Sequence, residues 1–346
     1  MQPRDMPLEP RARIRDVLLG HARLVGSRTR VGRDDLGLPR GVVSPYELRT
    51  RVGLRYGDPP LEEAKHERER TPMRDAATAL RWLALRVLTP RRTQTVAVAR
   101  PFVVSSRVDA LDTREVVERV IGWLRAGESR RAFFVHPHAL NIAAEDEGFR
   151  RDLAAADLVL PDGIGIRVAA RILRTGLPAN VNGTDLVPEL LLELAAEGLS
   201  VALVGAAPGV AARAAGAWQA RTGVKVAGTW DGFGDDDAMR AAARSIAAGA
   251  PCVVLVGMGS PIQERVALRY FADLPGVVTM TVGGLFDFVA GNQPRAPQAL
   301  RELGLEWVWR LAHEPRRLGR RYLAGNPVFI ARAIAQRLAS EWRSGR

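Results

Sequence analysis

The chain has 346 residues, 47% of them hydrophobic, a formal net charge of +12 and one cysteine. That composition fits a folded body with room for one large or two modest domains and excludes a disordered chain. A lone cysteine, Cys252, excludes an intrachain disulfide and offers no metal cluster; it reads as a buried core thiol.

Charge divides unevenly, with net values of +9 in residues 1–100, −3 in 101–300 and +6 in 301–346. Basic ends around a weakly acidic middle point to an anionic partner reached by the ends. A nucleic acid is disfavoured, because no basic motif is interleaved with aromatic residues. No apolar run approaches the ~18 residues of a membrane-spanning helix, and no signal-peptide core is read. The expectation is a cytoplasmic protein, peripheral at the inner face of the membrane.

Residues 1–100 are polar, rich in arginine and proline, and weakly periodic, with an apolar helix read at Ala77–Leu88. From 101 to 300, apolar strand-like runs alternate with helix-length stretches. The strands are read at Ala132–Val135, Leu158–Leu160, Val201–Val204, Val224–Ala227, Val253–Val256 and Val277–Val282. The clearest helices are Asp185–Glu197, Val210–Thr222 and Asp236–Ala248. The alternation predicts an α/β, Rossmann-like fold: a mostly parallel sheet with helices on both faces.

Within Ala156-Asp-Leu-Val-Leu-Pro-Asp-Gly-Ile-Gly-Ile166, Pro161 is expected to end the strand for want of an N–H. Asp162 then stands at a glycine-rich mouth, before a helix read at Ile166–Leu173. A carboxylate at a strand's C-terminal end lies where such sheets bind ligands; the plainer alternative is a cap on the next helix. Glycines also follow three later strands, in Val204-Gly-Ala-Ala-Pro-Gly209, Val256-Gly-Met-Gly-Ser-Pro261 and Val282-Gly-Gly-Leu-Phe-Asp287. Together they suggest one rim for a nucleotide or diphosphate. A dinucleotide oxidoreductase is less favoured, since no G-x-G-x-x-G follows the first strand.

Residues 301–346 carry the aromatic stretch Leu303–Leu311 and the cations Arg316, Arg317, Arg320 and Arg321. Asn326-Pro327 reads as a cap and first position of a helix, which lines up Ile330, Ile334 and Leu338. This basic amphipathic pair suggests docking on a membrane surface, with packing onto the core or a partner as the alternative.

Residues ~105–325 resemble the WecG/TagA/CpsF family of glycosyltransferases. The resemblance is carried by Ala156–Gly165, Gly183-Thr-Asp-Leu186, Gly257-Met-Gly-Ser-Pro-Ile-Gln-Glu264, Gly283-Gly-Leu-Phe-Asp-Phe288, Leu305-Glu-Trp-Val-Trp-Arg310 and Glu314-Pro-Arg-Arg317. It implies a metal-independent, inverting enzyme without a cofactor. Such an enzyme moves an N-acetylmannosamine-type sugar from a UDP-sugar donor to a polyprenyl-diphosphate-linked acceptor in surface-polymer assembly, and the resemblance also implies self-association as a homo-oligomer.

The resemblance implies Asp162 as the base. Thr184, Asp185, Gly205, Gly257, Ser260, Gln263, Glu264, Gly283, Gly284, Phe286 and Asp287 are implied to hold the nucleotide-sugar. Arg310, Arg317 and Arg320 are implied on the diphosphate from an appendage of residues 301–346; for Arg316 and Arg321 a solvated or lipid-facing role is as well supported. Where the family reads Thr-x-Asn-Pro, this chain reads Phe134-Val-His-Pro-His138, so His136 stands in for an amide and is a candidate phosphate donor or second base. Asn180 replaces the family's arginine. On these departures a second reading is a catalytically altered scaffold that binds nucleotide or lipid. Gly20–Arg28, Leu38–Val43 and Ala77–Leu88 are faintly similar to the tail of polyprenyl-phosphate sugar-1-phosphate transferases, which implies a non-catalytic remnant in residues 1–100.

Overall fold

The computed structural model describes residues 16–17, 19, 21–26, 39–45, 64, 66–88, 100–177, 181–294, 296–297, 300 and 306–344. The chain divides into two compact units, residues 1–94 with 297–306 and residues 95–296 with 307–346. The C-terminal segment from Trp307 thus belongs to the larger unit.

In the smaller unit, strands β1 (Arg23–Val25) and β2 (Gly41–Val43) pair in parallel. Helix α1 (Pro72–Leu88) starts five residues before the apolar stretch read from sequence. Val25, Val42 and Val43 form a small core, with Ala79 and Trp82 of α1 packed against it.

The larger unit opens with a short hairpin, β3 (Phe102–Val103) and β4 (Ser106–Arg107), and helix α2 (Thr113–Arg125). Then come β5 (Arg130–Val135), α3 (Pro137–Glu145), α4 (Glu147–Ala154), β6 (Leu158–Pro161), α5 (Ile164–Ile172), α6 (Gly183–Ala196), β7 (Ser200–Gly205), α7 (Val210–Thr222), β8 (Lys225–Trp230) and α8 (Asp236–Ala248). Strand β9 (Cys252–Gly257), α9 (Ile262–Val266), a π-helical turn at Ala267–Phe271, β10 (Val277–Thr281) and α10 (Leu285–Val289) complete the α/β body. The last segment is helical: α11 (Glu306–His313), α12 (Pro315–Gly319), a second π-helical turn (Arg320–Ala324) and α13 (Gly325–Ser344).

Six strands form one parallel sheet in the order β6-β5-β10-β9-β7-β8. Their apolar residues are buried on both faces, as parallel strands require. One face packs on α2, α6, α7 and α10, the other on α3, α4, α5, α8, α9 and α13. The helix leaving β7 and the helix leaving β9 therefore lie on opposite faces, although the strands are neighbours. The same is true of β10 and β5. Such reversals open crevices at the carboxyl ends of the strands.

Pro161 is the last residue of its strand, as expected: it pairs in register with Val135, and the Asp162 N–H beyond it donates to Val135 O at 2.7 Å. A proline is tolerated here because β6 is an edge strand. That edge is covered by Asp109, whose N–H donates to Val159 O at 2.8 Å while its carboxylate accepts the Val159 N–H at 2.7 Å. The arrangement fixes the strand that ends at Asp162 and blunts an exposed edge.

Asn326-Pro327 does not start the last helix. The helical path runs on from the π-helical turn, whose Gly325 N–H donates to Arg320 O. Proline is accommodated in the first turn of α13, where fewer intrahelical bonds are lost.

Candidate active site

All six core strands end on one rim, and the candidate residues follow those ends. On one side the rim is made of glycines. Gly205 of β7 pairs with Gly257 of β9, at φ 128°, and a Cβ added to it would lie 2.3 Å from Gly257 O. A Cβ on Gly257 would in turn lie 2.8 Å from Gly283 O. These glycines let three strand ends touch.

Gln263 locks the same rim. Its Oε1 accepts the N–H groups of Gly259 and Gly283 at 3.2 and 3.0 Å, tying the turn after β9 to the turn after β10. Its Nε2 donates to Glu264 Oε1 at 2.8 Å and to Ser260 Oγ at 3.3 Å. Ser260 Oγ donates to the same Glu264 oxygen at 2.8 Å. Gln263 and Glu264 are buried, and burial pushes the Glu264 carboxyl above its ordinary range.

Three residues expected on the nucleotide-sugar have internal structural roles here. The amide of Gln263 is fully used inside the protein, and Glu264 lies beneath the rim, so both brace it. Phe286 is wholly buried, edge-on to Trp218 with ring centroids 6.1 Å apart, and belongs to the core. Asp287 holds the turn after α10 by accepting from Asn292 Nδ2 at 3.0 Å. Thr184 and Asp185 open α6, where Asn182 Oδ1 accepts from the Asp185 N–H at 2.9 Å and from Thr184 Oγ1 at 2.7 Å. Gly183 brings this helix start beside the Phe134 ring. Asn180 lies outside the described residues, as do parts of the N-terminal stretches singled out above.

The other side of the rim is polar. Asp162 is half-buried at the end of β6. The helix that follows has Gly163, at φ 89°, as its N-cap residue. His136 directly follows β5 and caps α3: its Nδ1 accepts the Ala139 N–H at 3.0 Å, and Pro137 occupies the first helical position. Burial, then the Arg321 guanidinium, hold the His136 ring well below the usual imidazole range. A neutral ring whose Nδ1 accepts a hydrogen bond carries its proton on Nε2. His136 is thus no second base through Nδ1.

The arginines come from the C-terminal helices. Arg310 lies over the Phe288 ring at 4.9 Å, with Nη2 3.8 Å from where a Gly284 Cβ would sit. Arg321 is half-buried, with Asp162, Arg310 and Arg317 in its electrostatic surroundings, and desolvation pulls its guanidinium down. The Nε atoms of Arg310 and Arg321 are both buried without a hydrogen-bond partner. Arg317 is exposed and ion-paired to Glu314 at 2.5 Å, and Arg320 is exposed. Of the two neighbouring arginines it is thus Arg321, and not Arg320, that is half-buried and feels the Asp162 carboxylate. Residue spacing did not reveal this, because the π-helical turn at 320–324 resets the helical phase.

Polar contacts hold the segment in place. Asn141 Nδ2 of α3 donates to Gly325 O at 2.7 Å, and Arg332 reaches Asn141 O at 3.0 Å and Glu145 at 2.5 Å. Gln336 Oε1 accepts the Val104 N–H at 2.8 Å, and its Nε2 donates to Phe102 O at 2.9 Å. Phe329 and Ala333 are buried in the core. Ile334, Leu338 and Trp342 face outward, 45, 60 and 69% exposed. Ile330, expected in that outward line, packs partly against the core.

A Rossmann-like sheet that gathers an aspartate and desolvated arginines at its strand ends is the framework of a group-transferring α/β enzyme. More particularly, the chain belongs to the WecG/TagA/CpsF family of glycosyltransferases, whose model matches residues 102–343. It is similar to the N-acetylglucosaminyldiphosphoundecaprenol N-acetyl-beta-D-mannosaminyltransferase of Bacillus spizizenii, with 31% identity over 216 residues covering 62% of this chain and 82% of the relative. Among the described residues, no helix is long and apolar enough to cross a membrane.

Proposed function

We propose that this glycosyltransferase moves an N-acetylmannosamine-type sugar from a UDP-sugar to a polyprenyl-diphosphate-linked sugar during assembly of a cell-surface polymer. The observation that carries the reading is Asp162 at a strand end within the electrostatic reach of Arg321, with the Nε atoms of Arg321 and Arg310 buried and unbonded. Inverting transfer needs a base for the acceptor hydroxyl and cations for the departing diphosphate. In this reading the acceptor oxygen attacks the anomeric carbon and its proton passes to Asp162. The bond from that carbon to the β-phosphate oxygen breaks, and UDP leaves with the electron pair toward the arginines.

The outward face of α13 supplies the attachment to an anionic membrane, with Ile334, Leu338 and Trp342 entering the interface. Deleting the whole segment would uncover the core through loss of Phe329, so the clean variant is Leu338→Ser with Trp342→Ser. It is expected to keep its melting temperature and to lose sedimentation with anionic vesicles; unchanged sedimentation would remove α13 from the membrane contact.

The decisive experiment is UDP release by the purified protein, with detergent-dispersed lipid-linked N-acetylglucosamine and a panel of UDP-sugars. Release that needs both acceptor and Asp162 supports the reading and names the donor. Silence across the panel, with UDP still bound by calorimetry, would favour the scaffold reading.

A further inference from the structure

His136 is singular in the site because one of its nitrogens is already spent. Nδ1 accepts the Ala139 N–H at 3.0 Å, which fixes the ring as the cap of α3. Burial and nearby cations keep it neutral, so a proton must sit on Nε2, which can only donate. The ring remains partly accessible, stacked on His138 with centroids 6.1 Å apart and planes 13° off parallel. The charged groups that act most strongly on it are cationic, Arg321 before Arg310, while Asp162 directly follows the neighbouring strand.

Arg321 faces the same corner from the appendage. The docking of Gly325 on Asn141, within the helix that His136 caps, joins the base of the π-helical turn to α3. The Nε atoms of Arg321 and Arg310 are desolvated donors with nothing to bind, a costly arrangement that an anionic ligand would relieve. Two arginines and a neutral N–H donor that feel one another's charge, with Asp162 in reach of Arg321, match the acceptor oxygens of a diphosphate and repel a cation.

We propose that His136, through Nε2–H, and Arg321 together grip a diphosphate oxygen beside Asp162, with His136 acting as a tautomer-fixed donor and not as a base. This rests on the transferase reading only for the origin of the diphosphate. No bond is made or broken by either residue.

The test uses the full chain with inorganic pyrophosphate as the probe. Long-range proton–nitrogen spectra of protein labelled with ¹⁵N-histidine, with His136 assigned by its substitution, are expected to show the Nε2–H tautomer. That resonance should move when pyrophosphate is added. By calorimetry, His136→Asn, which keeps both a cap acceptor and a donor, should bind within about threefold of wild type. His136→Ser, which keeps the cap but lacks the donor's reach, should keep its melting temperature and bind about tenfold more weakly. Arg321→Ala should lose about tenfold or more, whereas Arg316→Ala, on the exposed side, should not change binding.

A protonated Nδ1, wild-type binding by His136→Ser, or no binding of pyrophosphate to wild type would each overturn the proposal. Pyrophosphate held through His136 by a protein that releases UDP from no sugar donor would sink the transferase reading and leave this one. Sugar transfer by a protein whose His136→Ser variant binds pyrophosphate normally would do the reverse.

Discussion

The two sides of the rim are built on opposite terms. Across β7, β9 and β10, glycines bring backbones into contact and Gln263 spends its whole amide holding two turns together. Across β5 and β6, Asp162 and His136 stand at the strand ends, and the appendage brings in Arg321, whose Nε, like that of Arg310 over the turn after β10, is buried without a partner. The first side is cross-braced by hydrogen bonds, with Glu264 Oε2 left buried and unbonded beneath it; the second leaves desolvated cations that a ligand would offset. Glycine clustering thus reports how closely strands must approach. Desolvated cations beside a carboxylate report where chemistry is prepared.

The sharpest way to break this contrast is at Asp162. Asp162→Asn is expected to lower sugar transfer by about 10²- to 10⁴-fold, the usual worth of a general base, while UDP affinity by calorimetry stays near wild type. A variant retaining a tenth or more of the turnover would move the base elsewhere. On the glycine side the expected loss is of stability. Gly205→Ala would drive a Cβ to 2.3 Å from Gly257 O at a φ of 128°, costing about 2–4 kcal/mol in denaturant unfolding. Gly283→Ala meets no atom within 4 Å and carries only the burden of φ 58°, about 1–2 kcal/mol. Equal losses at the two positions would mean that close strand contact is not what the rim glycines provide.

The α/β class and the six strands were legible because parallel strands buried on both faces read as unbroken apolar runs, such as Cys252–Val256. Asp162 was legible for a related reason: a carboxylate after such a run must sit at the sheet's mouth. What stayed hidden depended on phase and on tertiary satisfaction. Nothing in Arg320-Arg321 tells which arginine turns inward, since a π-helical turn shifts the answer by a residue. Gln263 and Glu264 look like ligand contacts until their partners, twenty residues apart in the case of Gly283, are seen. The strand end of Phe134-Val-His-Pro did carry a readable signal: His before Pro is a cap followed by a first helical position, and that cap decides which ring nitrogen is left to donate.

The smallest effect concerns charge on the opposite face, where α6 begins beside Phe134. One turn after Asp185, Glu189 is pushed up to about 7, first by burial and then by the Asp185 and Asp112 carboxylates. From about pH 4.5 to 7 the unfolded chain has lost this proton while the folded protein still holds it, so stability falls as pH rises through that window and levels off above it. The shift corresponds to at most about 3 kcal/mol, and rearrangement of a partly exposed helix leaves about 1–2 kcal/mol to measure. Glu189→Gln keeps the shape and removes the titration. It should unfold at higher denaturant than wild type at pH 8 and at the same denaturant at pH 4.5. A gain of equal size at both values would trace the effect to packing, and the acidic cluster would then have no part in setting the field that the arginines of the β5–β6 corner oppose.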